Sequence, residues 1–278
     1  MSIPISFEYF PPKTDAGADK LLAVHQELAR LRPTYASVTY GAGGSTRERT
    51  LATVASLRQV GIDIAPHLSC IGDRREQLRD ILQLYRAQGL RRIVALRGDL
   101  PSGQVGHGDL PYAVDLVRFI RQEHGDHFHI EVAAYPEVHP QAESYEQGLE
   151  HFLAKAAAGA DGAITQYFYN ADAYAYFVER VRARACSISI TPGIMPIAQF
   201  SNLVRFSDAC GAEIPRWLRR QLSAYGDDTQ ALQAMGEEFV GRLCERLLAC
   251  GAPGLHFYTM NQLEPTHRLC RRLGLMED

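Results

Sequence analysis

Short β-rich apolar runs alternate with amphipathic helical segments along the whole chain, and no other feature restricts the fold so strongly. The strand-like runs are Ile5–Phe10, Tyr35–Tyr40, Ile62–Leu68, Arg92–Leu96, His129–Ala134, Gly162–Phe168, Ser187–Ile194 and Leu255–Thr259. Between them, apolar residues recur at three- and four-residue spacing, which marks one buried face of a helix. Leu21, Val24, Leu28 and Leu31 form one such stripe, and Leu51, Val54 and Leu57 a second. Leu78, Ile81, Leu82 and Tyr85 form a third, and Leu149, Phe152, Leu153 and Ala156 a fourth. Gly61, Gly89 and Gly159 fall where a left-handed helix C-cap is needed.

Eight strands, each followed by a helix, is the count of a closed parallel (β/α)8 barrel, the TIM barrel of the α/β class. An open doubly wound sheet is the alternative, but Gly41-Ala42-Gly43-Gly44 lacks the GxGxxG spacing that such sheets use for dinucleotides. The chain has 278 residues and no Pro/Ser/Gly linker, so residues 1–278 are expected to form a single barrel domain. Residues 211–250 hold more helix than one unit requires, which predicts an extra helix after strand seven. The Gly- and Pro-rich segment Arg97–Pro111 reads as a long strand-to-helix loop, a usual place for function.

Composition removes several function classes. A net charge of −3 and a pI near 6.4 leave no electrostatic footprint for nucleic acid. The N-terminus shows no basic-then-apolar signal segment, and no apolar run approaches the roughly 18 residues of a membrane span, so a cytoplasmic protein is expected. Cys70, Cys186, Cys210, Cys244, Cys250 and Cys270 lack CxxC spacing and read as reduced core residues. The histidines show no HExxH, and His124, His127 and His129 lie at a helix–strand junction, so no metal site is expected.

The candidate chemistry lies where strands end. Residues closing the C-terminal ends of barrel strands face one shared pocket. In that position the chain offers Glu8, Thr39 and Tyr40, His67, Arg97-Gly98-Asp99, Tyr135 with His139, Gln166 with Tyr167, and Tyr258-Thr259, with Phe200 following strand seven. Glu8 stands out, because it interrupts the run Ile5-Ser6-Phe7-Glu8-Tyr9-Phe10. Alternation puts Ser6, Glu8 and Phe10 on one face and Phe7 and Tyr9 on the other. A carboxylate among rings loses hydration, so its pKa is expected to rise toward the range of a general acid. GxSxG, a P-loop and a strand-end Schiff-base Lys are absent. Two carboxylates, several donors and many rings suit a planar heteroaromatic ligand, and hydride or one-carbon chemistry there requires a cofactor.

Seven ordered motifs carry a resemblance: Phe7-Glu8-Tyr9-Phe10-Pro11-Pro12-Lys13, Val38-Thr39-Tyr40-Gly41-Ala42-Gly43-Gly44, Pro66-His67-Leu68, Leu96-Arg97-Gly98-Asp99, Ala134-Tyr135-Pro136-Glu137-Val138-His139-Pro140, Ile164-Thr165-Gln166 and His256-Phe257-Tyr258-Thr259. With them the chain resembles the methylenetetrahydrofolate reductase family in its short bacterial form. The resemblance implies non-covalent FAD and ping-pong reduction of 5,10-methylenetetrahydrofolate to 5-methyltetrahydrofolate, with NADH or NADPH reducing the flavin first. The product would supply methyl groups for methionine synthesis. It implies Glu8 as general acid, with Asp99 holding the pterin beside the flavin. FAD would be held by Thr39, Tyr40, Ala42, His67, Arg97, Gly98, Asp99, Ala113, Tyr135, His139 and Lys155.

Substrate contacts would come from Glu8, Thr39, Asp99, Gln166, Phe200, Tyr258 and Gln262, with Phe200 as the stacking ring. The implied partners are folate and nicotinamide nucleotide, with the chain acting as a homo-oligomer, dimer or tetramer. Departures are also visible. Gly148 and His151 stand where some relatives reach the adenosine with other side chains, and Gln262 stands where some place an Arg near the folate tail. A barrel enzyme without flavin, acting on a pterin or small carbonyl compound, is the competing reading of the residues.

Overall fold

The computed structural model describes residues 3–40, 44–99 and 108–276. Its strands are β1 (Ile5–Tyr9), β2 (Tyr35–Val38), β3 (Ile64–Ser69), β4 (Arg92–Leu96), β5 (His129–Ala134), β6 (Gly162–Thr165), β7 (Ser189–Thr191), β8 (Gly193–Ile194) and β9 (Leu255–Tyr258). Among the described residues they form one parallel sheet in the order β7-β6-β5-β4-β3-β2-β1-β9-β8.

Strands β7 and β8 are two halves of one stave. β7 pairs with β6, β8 pairs with β9, and Pro192 alone separates them. Eight staves therefore close a cylinder. Proline has no N–H to give to a ladder. Its carbonyl accepts from the His256 N–H (3.0 Å), and the Gly193 N–H turns to Thr165 Oγ1 (2.9 Å). The single strand expected over 187–194 is split for this reason.

Helices α1 (Asp15–Ala29), α2 (Gly44–Arg58), α3 (Arg75–Ala87), α4 (Ala113–His124), α5 (Tyr145–Ala157) and α6 (Ala171–Ala183) follow the first six strands. The expected stripes face inward: Leu21, Val24 and Leu28 are buried on α1, and Leu78, Ile81, Leu82 and Tyr85 on α3. Thr14, Ser144 and Asn170 cap α1, α5 and α6 through their side chains. Gly61, Gly89 and Gly159 take the positive φ expected at helix ends. Between β8 and β9 come three helices, α7 (Phe200–Cys210), α8 (Arg216–Ala224) and α9 (Thr229–Ala249), where one addition to the regular helix was expected. Helix α10 (Leu263–Arg272) ends the barrel. Among the described residues, no helix is long and apolar enough to cross a membrane.

Strand alternation sorts the sheet into two surfaces. Phe7, Tyr9, Val38, Ile93, Val132 and Phe257 join the large core between strands and helices. Inside the cylinder, the apolar cluster is only Tyr35, Ala65, Val94 and Ile164, with Leu96 and Tyr258 packed on it. Most of the remaining inner positions are polar, among them Ser6, Glu8, Ser37, His67, Glu131 and His256, all buried. Three cysteines, Cys70, Cys244 and Cys270, are buried as expected, but Cys250 is exposed because it follows the last turn of α9.

Stave seven also shapes the barrel through Gly193. A Cβ there would meet the Thr165 carbonyl oxygen at 2.2 Å and the Tyr258 ring at 2.5 Å. Neither neighbour can yield, since the Tyr258 hydroxyl donates to that same carbonyl (2.7 Å). Gly193→Ala is expected to cost about 1–3 kcal/mol of stability through overpacking, read as a lower urea midpoint. An unchanged midpoint would contradict this close approach.

Candidate active site

A cavity of about 1110 Å³ opens at the C-terminal ends of the strands. That is at or above the roughly 300–1,000 Å³ typical of small-molecule pockets. Glu8, Thr39, Tyr40, His67, Arg97, Gly98, Asp99, Ala113, Tyr135, His139, Lys155, Gln166 and Tyr258 all line it. These residues come from seven strand ends and two helices, and closure of the cylinder is what brings them together. Gly148 and His151 of α5 line it too.

Two expected residues lie off this lining, and a third falls outside the described residues. Phe200 opens α7 and packs partly buried against the outer core, whereas Phe206, two turns on, lines the cavity with Ala209 and Cys210. Helical periodicity puts 206, 209 and 210 on one face and turns residue 200 away from it. Gln262 is exposed as the N-cap residue of α10 and does not line the cavity. Ala42 lies outside the described residues.

Glu8 is the most heavily buried acid of the site. Its Oε2 stands 3.3 Å from His67 Nε2 and 3.7 Å from His256 Nε2. Burial pushes the carboxyl pKa up, as the sequence implied, but the two imidazoles outweigh it and hold the group down at about 2. The expected rise toward a general acid's range is thus reversed. The reason is that His67 on β3 and His256 on the neighbouring strand β9 meet Glu8 only once the barrel has formed. His256 was missed as a site residue, although alternation along His256-Phe257-Tyr258 puts it on the face of Tyr258.

The far side of the cavity is cationic. Burial and the neighbouring charges of Arg97, Lys155 and His151 push the His139 imidazole down. Burial alone pushes the Lys155 ammonium down to about 8, and the Ala133 carbonyl is the hydrogen-bond acceptor recorded for it. Arg97 and Lys155, with the His139 imidazole between their charges, fit an anionic group such as a pyrophosphate. Tyr135 stacks edge-on against His139 at 4.3 Å, which adds a ring beside that set. At the opposite wall, Arg47 binds Tyr40 Oη (2.8 Å) and Asp73 Oδ2 (2.9 Å), a clamp not foreseen from sequence.

Between these ends, the chain offers recognition groups for a flat ligand. Gly98 has φ +82°, and a Cβ there would meet Ser69 Cβ at 2.8 Å, so backbone approaches the cavity with no side chain in the way. Gln166 Oε1 accepts from the Tyr167 N–H (3.0 Å), which leaves its amide nitrogen for a ligand. Asp99 is exposed at the rim and raises the Tyr135 hydroxyl pKa, after the larger effect of burial. Among the described residues, no cluster of His, Cys, Asp and Glu is arranged to hold a metal ion.

A closed parallel barrel with one large polar cavity at the C-terminal ends of its strands has the architecture of the (β/α)8 enzymes. The family model for methylenetetrahydrofolate reductase matches residues 1–274. Relatives named 5,10-methylenetetrahydrofolate reductase include one from Pectobacterium carotovorum, 39% identical over 99% of this chain and 92% of the relative. Another, from Escherichia coli K12, is 38% identical over 98% of this chain and 91% of its own. Methylenetetrahydrofolate reductase (NADH) 1 of Arabidopsis thaliana is 36% identical, covering 98% of this chain and 48% of the plant protein. The chain belongs to the methylenetetrahydrofolate reductase family. The same fold occurs in a Clostridium thermocellum protein described as binding two copies of 5-methyl-5,6,7,8-tetrahydrofolic acid, with TM-score 0.65, 17% identity and coverage of 99% and 93% of the two chains.

Lys155 yields a test that needs no ligand. Its folded pKa of about 8 lies below the ordinary 10.5, so the unfolded chain binds the extra proton between those values. The burial penalty is full below pH 8 and fades as pH rises toward 10.5. Lys155→Met is therefore expected to raise the Tm of the ligand-free protein at neutral pH, with the gain shrinking above pH 8. A Tm at or below the parent's at pH 7 would contradict a net burial penalty on this cation.

Proposed function

We propose that this protein, acting as one catalytic unit over residues 1–278, reduces 5,10-methylenetetrahydrofolate to 5-methyltetrahydrofolate with NADH or NADPH. The reaction is ping-pong, runs in the cytoplasm and supplies methyl groups for methionine synthesis. The observation that carries this reading is the convergence of Glu8, Asp99 and Gln166 on one cavity in a member of this family. Non-covalent FAD, held in that cavity, would supply the two-electron carrier that accepts a hydride from the nicotinamide and returns it to the folate. The cavity volume, the cationic end around Lys155, Arg97 and His139, and the bare backbone at Gly98 support that cofactor.

In this reading Lys155, Arg97 and His139 bind the pyrophosphate, and Thr39, Tyr40, His67, Ala113 and Tyr135 enclose the rest of the dinucleotide. The Gln166 amide and the Asp99 carboxylate orient the pterin or the nicotinamide. Glu8 delivers a proton to the amine nitrogen of the methylene bridge, which opens the bridge to the iminium that takes the hydride. Phe206 takes over the stacking role first given to Phe200, since it lines the cavity and Phe200 does not. Tyr258 forms the floor, braced by its bond to the Thr165 carbonyl.

The purified protein is expected to be yellow or to become so on reconstitution with FAD, and colourless protein that takes up no flavin would sink the reading. Stopped-flow measurement of Glu8→Gln should show near-normal reduction by the nicotinamide and a folate half-reaction slowed by about 10²–10⁴-fold. Equal loss in both half-reactions would remove Glu8 from its role. Phe206→Ala should raise KM for folate and for the nicotinamide, whereas Phe200→Ala should lower stability with KM unchanged. The reverse pattern would return the stacking role to residue 200.

A further inference from the structure

Directly beneath Glu8, the barrel interior holds a second polar layer that touches no part of the cavity. Register puts Ser6 of β1 level with Tyr35 of β2 and with His256 of β9. Ser6 Oγ pairs with His256 Nδ1 at 2.7 Å, and the Tyr35 ring stacks on the imidazole with centroids 6.0 Å apart. His256 has no exposed surface, and Ser6 and Tyr35 are buried as well. With Nδ1 committed to Ser6, Nε2 is the nitrogen left for Glu8, and it has no hydrogen-bond partner of its own. His67 Nε2 is likewise unbonded and faces Glu8 from the cavity side.

The two imidazoles thus have different surroundings. His67 lies in the cavity wall, within reach of any bound ligand, whereas His256 is sealed beneath it and meets only Glu8, Ser6, Tyr35 and Tyr258. The charged and titratable groups around this layer come from every neighbouring stave. They are His67 on β3, Tyr35 on β2, Tyr258 and His256 on β9, Arg92 on β4 with its guanidinium 4.4 Å over the Tyr35 ring, and Glu131 on β5 bonded to Arg92. Ser37, level with Glu8 on β2, has an unbonded hydroxyl.

We propose that His256, oriented by Ser6, is the positioning residue of Glu8 and shares with it the proton that goes to the substrate. The inference rests on the reductase reading for the identity of that substrate. In the step, protonated His256 gives its Nε2 proton to the Glu8 carboxylate, so an N–H bond breaks and an O–H bond forms. That O–H bond breaks in turn as an N–H bond forms on the folate amine, which leaves Glu8 ionised and His256 neutral. A proton from solvent restores the pair when product leaves. A lone carboxylate held at about 2 would be empty of protons at neutral pH, and a sealed imidazole beside it supplies the missing store. Spacings of 3.3 and 3.7 Å are long for hydrogen bonds, and a bound ligand that excludes water is expected to tighten them.

The test uses the holoenzyme for kinetics and ¹³C-labelled glutamate for direct observation of the Glu8 carboxyl, assigned with Glu8→Gln. In the parent, the carboxyl signal should stay ionised over the whole pH range in which the fold is stable. In His256→Gln, and to a smaller extent in Ser6→Ala, the signal should titrate inside that range, shifted up by about one pKa unit or more, a roughly tenfold change in protonation. The pH profile of the folate half-reaction should move with it, and Ser6→Thr, which keeps the hydroxyl, should restore both. A merely structural role would lower stability and amplitude without moving either titration. Identical Glu8 titration in the parent and His256→Gln, or profiles that superimpose after scaling, would overturn the proposal. A shifted carboxyl in a protein that turns over no folate would uphold the coupling and sink the reductase reading.

Discussion

A carboxylate enclosed by a β-cylinder has few ways to remain charged, and Glu8 does so by meeting two imidazoles from other staves. Dehydration alone would neutralise it. His67 and His256 reverse the sign of that effect and hold the group down at about 2. In the proposed reaction the acid is then a coupled one, not an isolated one. This makes the inner layer of Ser6, Tyr35 and His256 part of the site, although it touches no cavity surface.

The architecture of stave seven serves the same end. Pro192 breaks the strand where its carbonyl and the Gly193 N–H are both used, the first by the His256 N–H and the second by Thr165. Gly193 then lets the Tyr258 ring cross to the Thr165 carbonyl, which floors the cavity. Closure thus aligns β9, which carries His256 and Tyr258, beside β1, which carries Glu8. Opposite, Lys155 and Arg97 crowd His139 and push its imidazole toward the neutral form, an arrangement that favours an anion.

Much of this was legible in the chain. The order of strands and helices, the inner and outer faces of β1, and most of the cavity wall follow from alternation and from strand-end position. Phe206 was legible in principle, because it shares a helical face with Ala209 and Cys210, but nothing local says which face of α7 meets the pocket. The Arg47–Asp73 clamp joins the first turns of α2 to the loop after β3, 26 residues away, and left no local signal. The split of the seventh stave needed the hydrogen-bond ladder on both its sides.

Local sequence by itself determined the barrel's element order, the alternation that turns Ser6 and Glu8 inward, and the motifs that carry the family resemblance. Each of these rests on interactions within a few residues of the chain. Only the tertiary structure decided the charge on Glu8, because that charge depends on which groups come within a few ångströms. The pair Ser6 and His256 is separated by 250 residues. No short-range rule reads an electrostatic balance set by partners so distant, and barrel closure is what assembles it.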